Sequence, residues 1–294
     1  MYYVKLALRD KRFIMISLLA AAFVLATVFA GRLAPHDPIE QNYDAVLAAP
    51  CAEYPFGTDQ IGRCLLSRVL YGGKSSLVIA LAVTALMASV GTLIGIISGY
   101  FGKAVDAILM RFTDMMMAFP NIVFVIALVS VLGTGTRNLI IAMTAISWTT
   151  YARVSRSMVI SIKNNDYIEQ ARLGGTGRAG IMFRYILPNV LPYLIVLITQ
   201  DIGNNLLTLA SLSLLGLGSQ PPTPEWGYML SEGKKFMQSA PWMLIFPGLV
   251  ILICVIIFNL MGDVLRDIMD PRGQVINRRS GMNFRRQKRK EGNI

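Results

Sequence analysis

The chain has 294 residues, of which 54% are hydrophobic and only 15% charged, and its mean hydropathy is +0.53. Soluble domains carry roughly 25% charged residues, so this balance excludes a water-soluble globular domain and points to several membrane spans. The net charge of +11 is what basic cytoplasmic loops require, and no nucleic-acid partner is expected.

Six hydrophobic segments are predicted. The first, residues 13–31, follows the basic stretch "VKLALRDKR" and is too long for a signal peptide, so it reads as a retained anchor. Residues 32–75 read as an external loop, acidic through Asp37, Glu40, Asp44, Glu53 and Asp59. His36, beside Pro35, reads as a turn residue, and Cys51 and Cys64 are open to either a disulfide or two free thiols. At the end of this loop "YGGKSS" imitates the close of a phosphate-binding loop, but Arg68 stands where the first glycine is required. It reads as a polar turn with a snorkelling Lys74, and the chain shows no ATP-binding motif.

The second span, 77–100, carries Gly91, Gly95 and Gly99 on one helix face, a pattern for close packing inside a bundle. The third, 105–132, is polar at its start and interrupted at Pro120; Arg111 and Asp114 within it read as a structural ion pair. The fourth is 138–157, the fifth 189–215, and the sixth 242–264, with Cys254 in a packing role. Basic residues collect before the first span (Lys5, Arg9, Lys11, Arg12), between the fourth and fifth (Arg153, Arg156, Lys163, Arg172, Arg178, Arg184) and in the tail "NRRSGMNFRRQKRK". With six spans these regions share the cytoplasmic side, which places both termini there. The expected organisation is an N-terminus and anchor (1–31), an external loop (32–75), a core (76–270) containing a special loop (158–188), and a basic tail (271–294) suited to membrane lipid.

The special loop contains "NDYIEQARLGGTGRAGIMFRYILPNVLP", residues 165–192. Asn165 or Asp166 caps a short helix, whose Tyr167, Ile168 and Ala171 offer an apolar side to a partner. Glu169 and Arg172 stand on one face, and Gly174, Gly175 and Gly177 end the helix. A second helix, "RAGIMFRYIL", leads to Pro188 and Pro192 at the start of the fifth span. The pattern describes a rigid knob.

This knob resembles the "EAA" loop of the membrane permeases of ABC importers, with Glu169, Ala171, Gly175, Leu187 and Pro188 at the matching spacings and Gln170 and Tyr185 departing from it. "YPFGTDQIGRCLLSRVLYGGKSSL", "MRFTDMMMAFP", "SLLGLGSQPPTPEWGYML" and "FNLMGDVLRDIMDP" are similar to the second, "C"-type permease subunit of the dipeptide, oligopeptide and nickel importers. The resemblance implies an all-α integral membrane protein of six transmembrane helices, the type I importer permease fold with a cytoplasmic coupling helix. It implies a bacterial inner-membrane location, a homologous second permease, two cytoplasmic ATPase subunits that bind ATP and Mg, and an extracytoplasmic substrate-binding protein. The chain itself would hold no catalytic residue, cofactor or metal. ATPase coupling would fall to Tyr167, Glu169, Ala171, Arg172, Gly175, Gly177, Leu187 and Pro188.

An ionisable residue inside a span is a functional candidate, and Asp201, mid-way along the fifth, is the best placed. With Gln200, Asn204 and Asn205 it forms a polar stretch that either lines the translocation path or bonds to the partner permease. "QPPTPEWG" offers Pro221, Pro222, Pro224 and Trp226 either as a stiff docking scaffold for the binding protein or as turn prolines with an interfacial tryptophan. The expected cargo is short peptides, with nickel or a metal chelate next. An ion-coupled secondary transporter is the alternative function; a membrane enzyme is disfavoured because zinc motifs and catalytic triads are absent from the sequence.

Overall fold

The structure, a computed structural model, describes Ala7 and residues 10–269; Lys5, Arg9 and the basic tail lie outside the described residues. The described residues are almost entirely helical. Helix α1 spans Lys11–Val28 and is followed by the short α2, Ala30–Leu33. A segment over 34–64 with a 3-10 turn at Tyr43–Ala45 then leads into α3, Leu65–Phe101. Next come α4 (Lys103–Met117), α5 (Asn121–Leu132), α6 (Thr136–Ile162) and α7 (Asp166–Leu173). The rod α8, Arg178–Leu214, is followed by α9 (Trp226–Lys234) and α10 (Trp242–Met269).

By length and composition α1, α3, α8 and α10 each suffice to cross a membrane; α4 and α5 together would make a fifth crossing, bent by 87°. The bend falls at Pro120, which caps α5 and has no N–H to continue α4. Six apolar spans were expected. The remaining helix, α6, has 27 residues, about 40 Å of rise, but is too polar to qualify by composition. Its position explains this: Ala142, Trp148, Tyr151, Ala152 and Val159 are buried against the rest of the chain, so little of it faces a hydrocarbon solvent.

The expected glycine face is what brings α3 onto α6. A Cβ added at Gly91 would lie 2.2 Å from the Trp148 carbonyl oxygen, one at Gly95 2.4 Å from that of Ala152, and one at Gly99 2.7 Å from Val159 Cβ. Only hydrogen leaves room for this backbone-to-backbone approach.

Helix α3 begins at Leu65, twelve residues before the expected 77, so "YGGKSS" is helix rather than a turn and 65–75 is not loop. Its glycines make room for an indole: a Cβ on Gly73 would lie 2.8 Å from the Trp226 ring and 2.3 Å from Thr27 Cγ2. Trp226 donates its Nε1–H to the Val69 carbonyl at 2.8 Å, and its backbone N–H donates to Ser76 Oγ at 3.1 Å.

The segment over 34–64 is fastened to α9 by buried charge. Asp59 accepts from Arg63 Nε at 2.6 Å and from Arg68 Nη1, while Glu232 accepts from Arg63 Nη2 at 3.0 Å, Arg68 Nη2 at 2.7 Å and Gln60 Nε2 at 2.6 Å. Two guanidinium groups face two carboxylates, so the cluster is neutral overall. Such a cluster fixes geometry, because removing one member leaves a buried charge uncompensated. Cys51 and Cys64 are both free, the first exposed and the second buried. The His36 ring stacks on Tyr54 at 4.8 Å, and the His36 backbone N–H donates to Ser67 Oγ.

Candidate coupling loop and translocation path

Helix α7 starts after Asn165, whose side chain makes no capping bond, and stops at Gly174. Of the three glycines expected to turn the chain, only Gly175 has a positive φ, +82°, where L side chains are strained. Gly174 sits at φ −71° and Gly177 at φ −65°. No ion pair joins Glu169 to Arg172; both are exposed.

The apolar residues of α7 divide. Ile168 is fully buried in the chain's own core, with Ile181 and Ile186, and so is not offered to a partner. Tyr167 is 39% exposed and Leu173 84% exposed. The buried isoleucine anchors the helix while its other face projects, with Leu173 as an outward apolar residue the sequence reading passed over. The expected second helix is no separate element. Arg178–Gly180 runs through a π-helical stretch, Ile181–Ile186, into Leu187–Leu214 as one rod. Pro188 sits at the start of that last stretch, and the wider π turn before it accommodates a residue that cannot donate to the preceding turn. Leu187 is half-buried and Pro188 exposed.

Two cross-helix pairs steady the helices around this loop. Arg156 pairs with Asp106 through its Nη2 at 2.6 Å, and Lys163 Nζ donates to the Gly99 carbonyl at 2.9 Å. Asp114 pairs with Arg153 on α6 at 2.5 Å rather than with Arg111, which overturns the expected pair. Sequence spacing identifies neighbours along one helix and is blind to the helix packed beside it.

Asp201, Asn204, Asn205 and Thr208 line one cavity of about 380 Å³ together with Met87, Met117, Phe119, Asn121 and residues 146, 147, 149 and 150 of α6. Asp201 accepts from the Tyr151 hydroxyl at 2.8 Å and from Asn204 Nδ2 at 3.4 Å. Asn205, buried, donates to Thr84 Oγ1 at 2.9 Å. Gln200 does not join them: its amide turns to α10, donating to Asp263 at 3.0 Å and accepting from Arg266 at 3.4 Å. Tyr151 is the member that sequence reading missed; its signal was the run of hydrogen-bonding residues from Trp148 to Tyr151 inside a span.

The proline-rich motif at 220–227 also divides. Pro221 and Pro222 are exposed, whereas Pro224 and Trp226 are buried, so the tryptophan is a core residue and not a displayed docking group. Glu225 caps α9 by accepting from the N–H groups of Gly227 at 2.7 Å and Tyr228 at 2.9 Å. Burial pushes its carboxyl above the usual carboxylate range, and those two N–H groups pull the other way.

Residues 91–274 match the family model described as the binding-protein-dependent transport system inner membrane component. The chain belongs to this family. The permease is 44% identical over 254 residues to the dipeptide transport system permease protein DppC of Haemophilus influenzae, covering 84% of this chain and 86% of that one. It is 40% identical to the di/tripeptide permease protein DppC of Pseudomonas aeruginosa (85% and 84% covered) and 40% identical to the glutathione permease protein GsiD of Escherichia coli (87% and 85%). Among solved structures it is similar to the methionine ABC transporter MetNI in inward-facing conformations, with a TM-score of 0.54 and 16% identity, covering 69% of this chain and 96% of that one. That last likeness concerns the fold alone, the type I importer permease fold. The permease is thus an inner-membrane transport component of the dipeptide/oligopeptide ABC importer family and not an enzyme; the ion-coupled reading falls with that assignment.

Proposed function

We propose that the permease forms half of the translocation path of an importer for short peptides. It pairs with a homologous permease, is driven by two cytoplasmic ATPase subunits that hold ATP and Mg, and receives cargo from an extracytoplasmic binding protein. The observation that carries the substrate class is the 44% identity to a permease named for dipeptide transport, across more than four-fifths of both chains. In this reading α7 is the coupling helix. Tyr167, Glu169, Ala171, Arg172 and Leu173 face the ATPase, Gly175 and Gly177 set the turn, and Leu187 and Pro188 open the rod behind it. Asp201, Asn204 and Asn205 line the path, Pro221 and Pro222 lie on the binding-protein side, and both termini are cytoplasmic.

The test is uptake in cells lacking this permease, with a labelled dipeptide and nickel offered in parallel. Restored dipeptide uptake on returning the wild-type gene is expected, with no restoration by Glu169→Lys. Restored nickel uptake alone would refute the peptide reading.

A further inference from the structure

Asp201 stands near the middle of Leu187–Leu214 and is the only ionisable side chain among the residues lining the polar cavity. Two acidic residues on α4 have cationic partners on α6, Asp106 with Arg156 and Asp114 with Arg153. Asp201 has none among the described residues: its partners are the Tyr151 hydroxyl at 2.8 Å and the Asn204 amide at 3.4 Å. A carboxylate held at span depth by two neutral donors is an acceptor with remaining lone pairs and no counter-charge. The space beside it, about 380 Å³, is of the size that holds small ligands. Methionine and phenylalanine side chains form one part of its wall, and hydroxyl and amide groups form another.

We propose that the Asp201 carboxylate, oriented by Tyr151, is a transient acceptor for the protonated α-amine of a peptide crossing the permease. The inference rests on the peptide-import reading. The cargo ammonium supplies the missing counter-charge and donates to the free carboxylate lone pairs, while the hydroxyl and amide lining of the cavity serves the peptide group. Tyr151 is a positioning residue: its hydroxyl donates to Oδ2 and the Asn204 amide to Oδ1, so the carboxylate is held from both oxygens and each keeps a lone pair for the cargo. The site must release what it holds, and two neutral donors beside the carboxylate keep its charge partly satisfied when the cargo leaves.

The experiment uses the whole importer in proteoliposomes with saturating binding protein. Two labelled cargoes are compared: a dipeptide, and its analogue with hydroxyl in place of the α-amine. The affinity of the binding protein for each cargo is measured separately. Asp201→Asn is expected to slow dipeptide transport by roughly ten-fold or more, the worth of a charge-assisted hydrogen bond, and to slow the hydroxyl analogue far less, since that cargo brings no cationic charge to the site. Asp201→Glu should recover most of the rate, and Tyr151→Phe should lower it several-fold for the dipeptide alone. Equal loss for both cargoes, with poorer recovery of the paired permeases, would make Asp201 an interhelical contact and overturn the proposal. Unchanged transport of both would also overturn it. A wild-type importer that carries no peptide at all would instead overturn the functional reading on which it rests.

Discussion

Replacing Gly91 by alanine tests the close approach of α3 and α6, because the added methyl has nowhere to go. It would sit 2.2 Å from the Trp148 carbonyl oxygen and 2.5 Å from Tyr151 Cβ. Non-bonded atoms rest at about 3.5 Å or more, so α6 must withdraw by about 1 Å. Overpacking of this kind costs about 1–3 kcal/mol, and the backbone neighbour places Gly91→Ala at the upper end. The gain in helix propensity, about 1 kcal/mol, offsets only part of that. Gly248→Ala is the matched control. Its new methyl meets only Leu230 Cδ2 at 3.8 Å, an ordinary contact, so propensity alone should make it neutral or slightly stabilising. The two variants should differ by about 3 kcal/mol, roughly 6–10 °C in melting temperature. Thermal unfolding of the detergent-purified permease, followed by tryptophan fluorescence, reads this directly. Uptake should fall in Gly91→Ala as well, since withdrawing α6 at Tyr151 lengthens its 2.8 Å bond to Asp201. A Gly91→Ala protein that melts at or above Gly248→Ala would refute the packing argument.

Helix α7, the Asp59–Glu232 charge cluster and the proline-rich motif supply the remaining expectations. Ile168→Ala removes the buried anchor of α7 and should cost about 3 kcal/mol of local stability, seen as faster hydrogen exchange across residues 165–175. Leu173→Glu changes a side chain that is 84% exposed, so the melting temperature should hold while ATPase co-purification falls. Arg68→Met leaves Asp59 and Glu232 sharing one guanidinium and should destabilise by about 3 kcal/mol, measured as a lowered melting temperature and new protease sensitivity near residues 57–64. Trp226→Ala should cost about 3–5 kcal/mol, whereas Pro221→Ala should leave the melting temperature unchanged and alter only binding-protein-dependent uptake.

Much of this was legible in the chain. Apolar run lengths located most of the spans, Pro120 marked the break between α4 and α5, and glycines at 91, 95 and 99 marked a packed helix face. What hydropathy misread has a common cause. "YGGKSS" looked like a turn because glycine and lysine depress the local average, yet the helix continues because Trp226 fills the space the glycines leave. Trp226 looked displayed because prolines surround it, although three prolines say nothing about which way the next side chain turns. Arg111 and Asp114 looked paired because they are three apart, but Arg153 on α6 reaches Asp114 instead. Ile168 looked outward because the loop was read alone; its partners Ile181 and Ile186 come from the next helix. Each misreading concerns a contact between segments far apart in sequence, where local pattern carries no information.

Those distant contacts are also what join the two candidate sites. Helix α7 lies between α6, which carries Tyr151, and the rod α8, which carries Asp201. The rod has 37 residues, about 55 Å of rise, and runs from the turn behind α7 to Leu214, seven residues before the exposed Pro221. Tyr151 and Asp201 therefore sit on the two elements that flank α7 in the chain, and a 2.8 Å hydrogen bond ties them together. In the proposed reading a displacement delivered at α7 reaches both helices through packed side chains, because Ile168 is embedded in the same core as Ile181 and Ile186. If both helices move together the pair survives; if they move unequally its geometry changes within a fraction of an ångström. In the proposed reading, motion delivered at α7 alters the acceptor itself, and release of a bound amine follows from that motion. Ile168→Ala should then slow dipeptide transport more than transport of the hydroxyl analogue, even with the ATPases still attached. An equal slowing of both would show that the loop moves the path as a whole and leaves the Tyr151–Asp201 pair untouched.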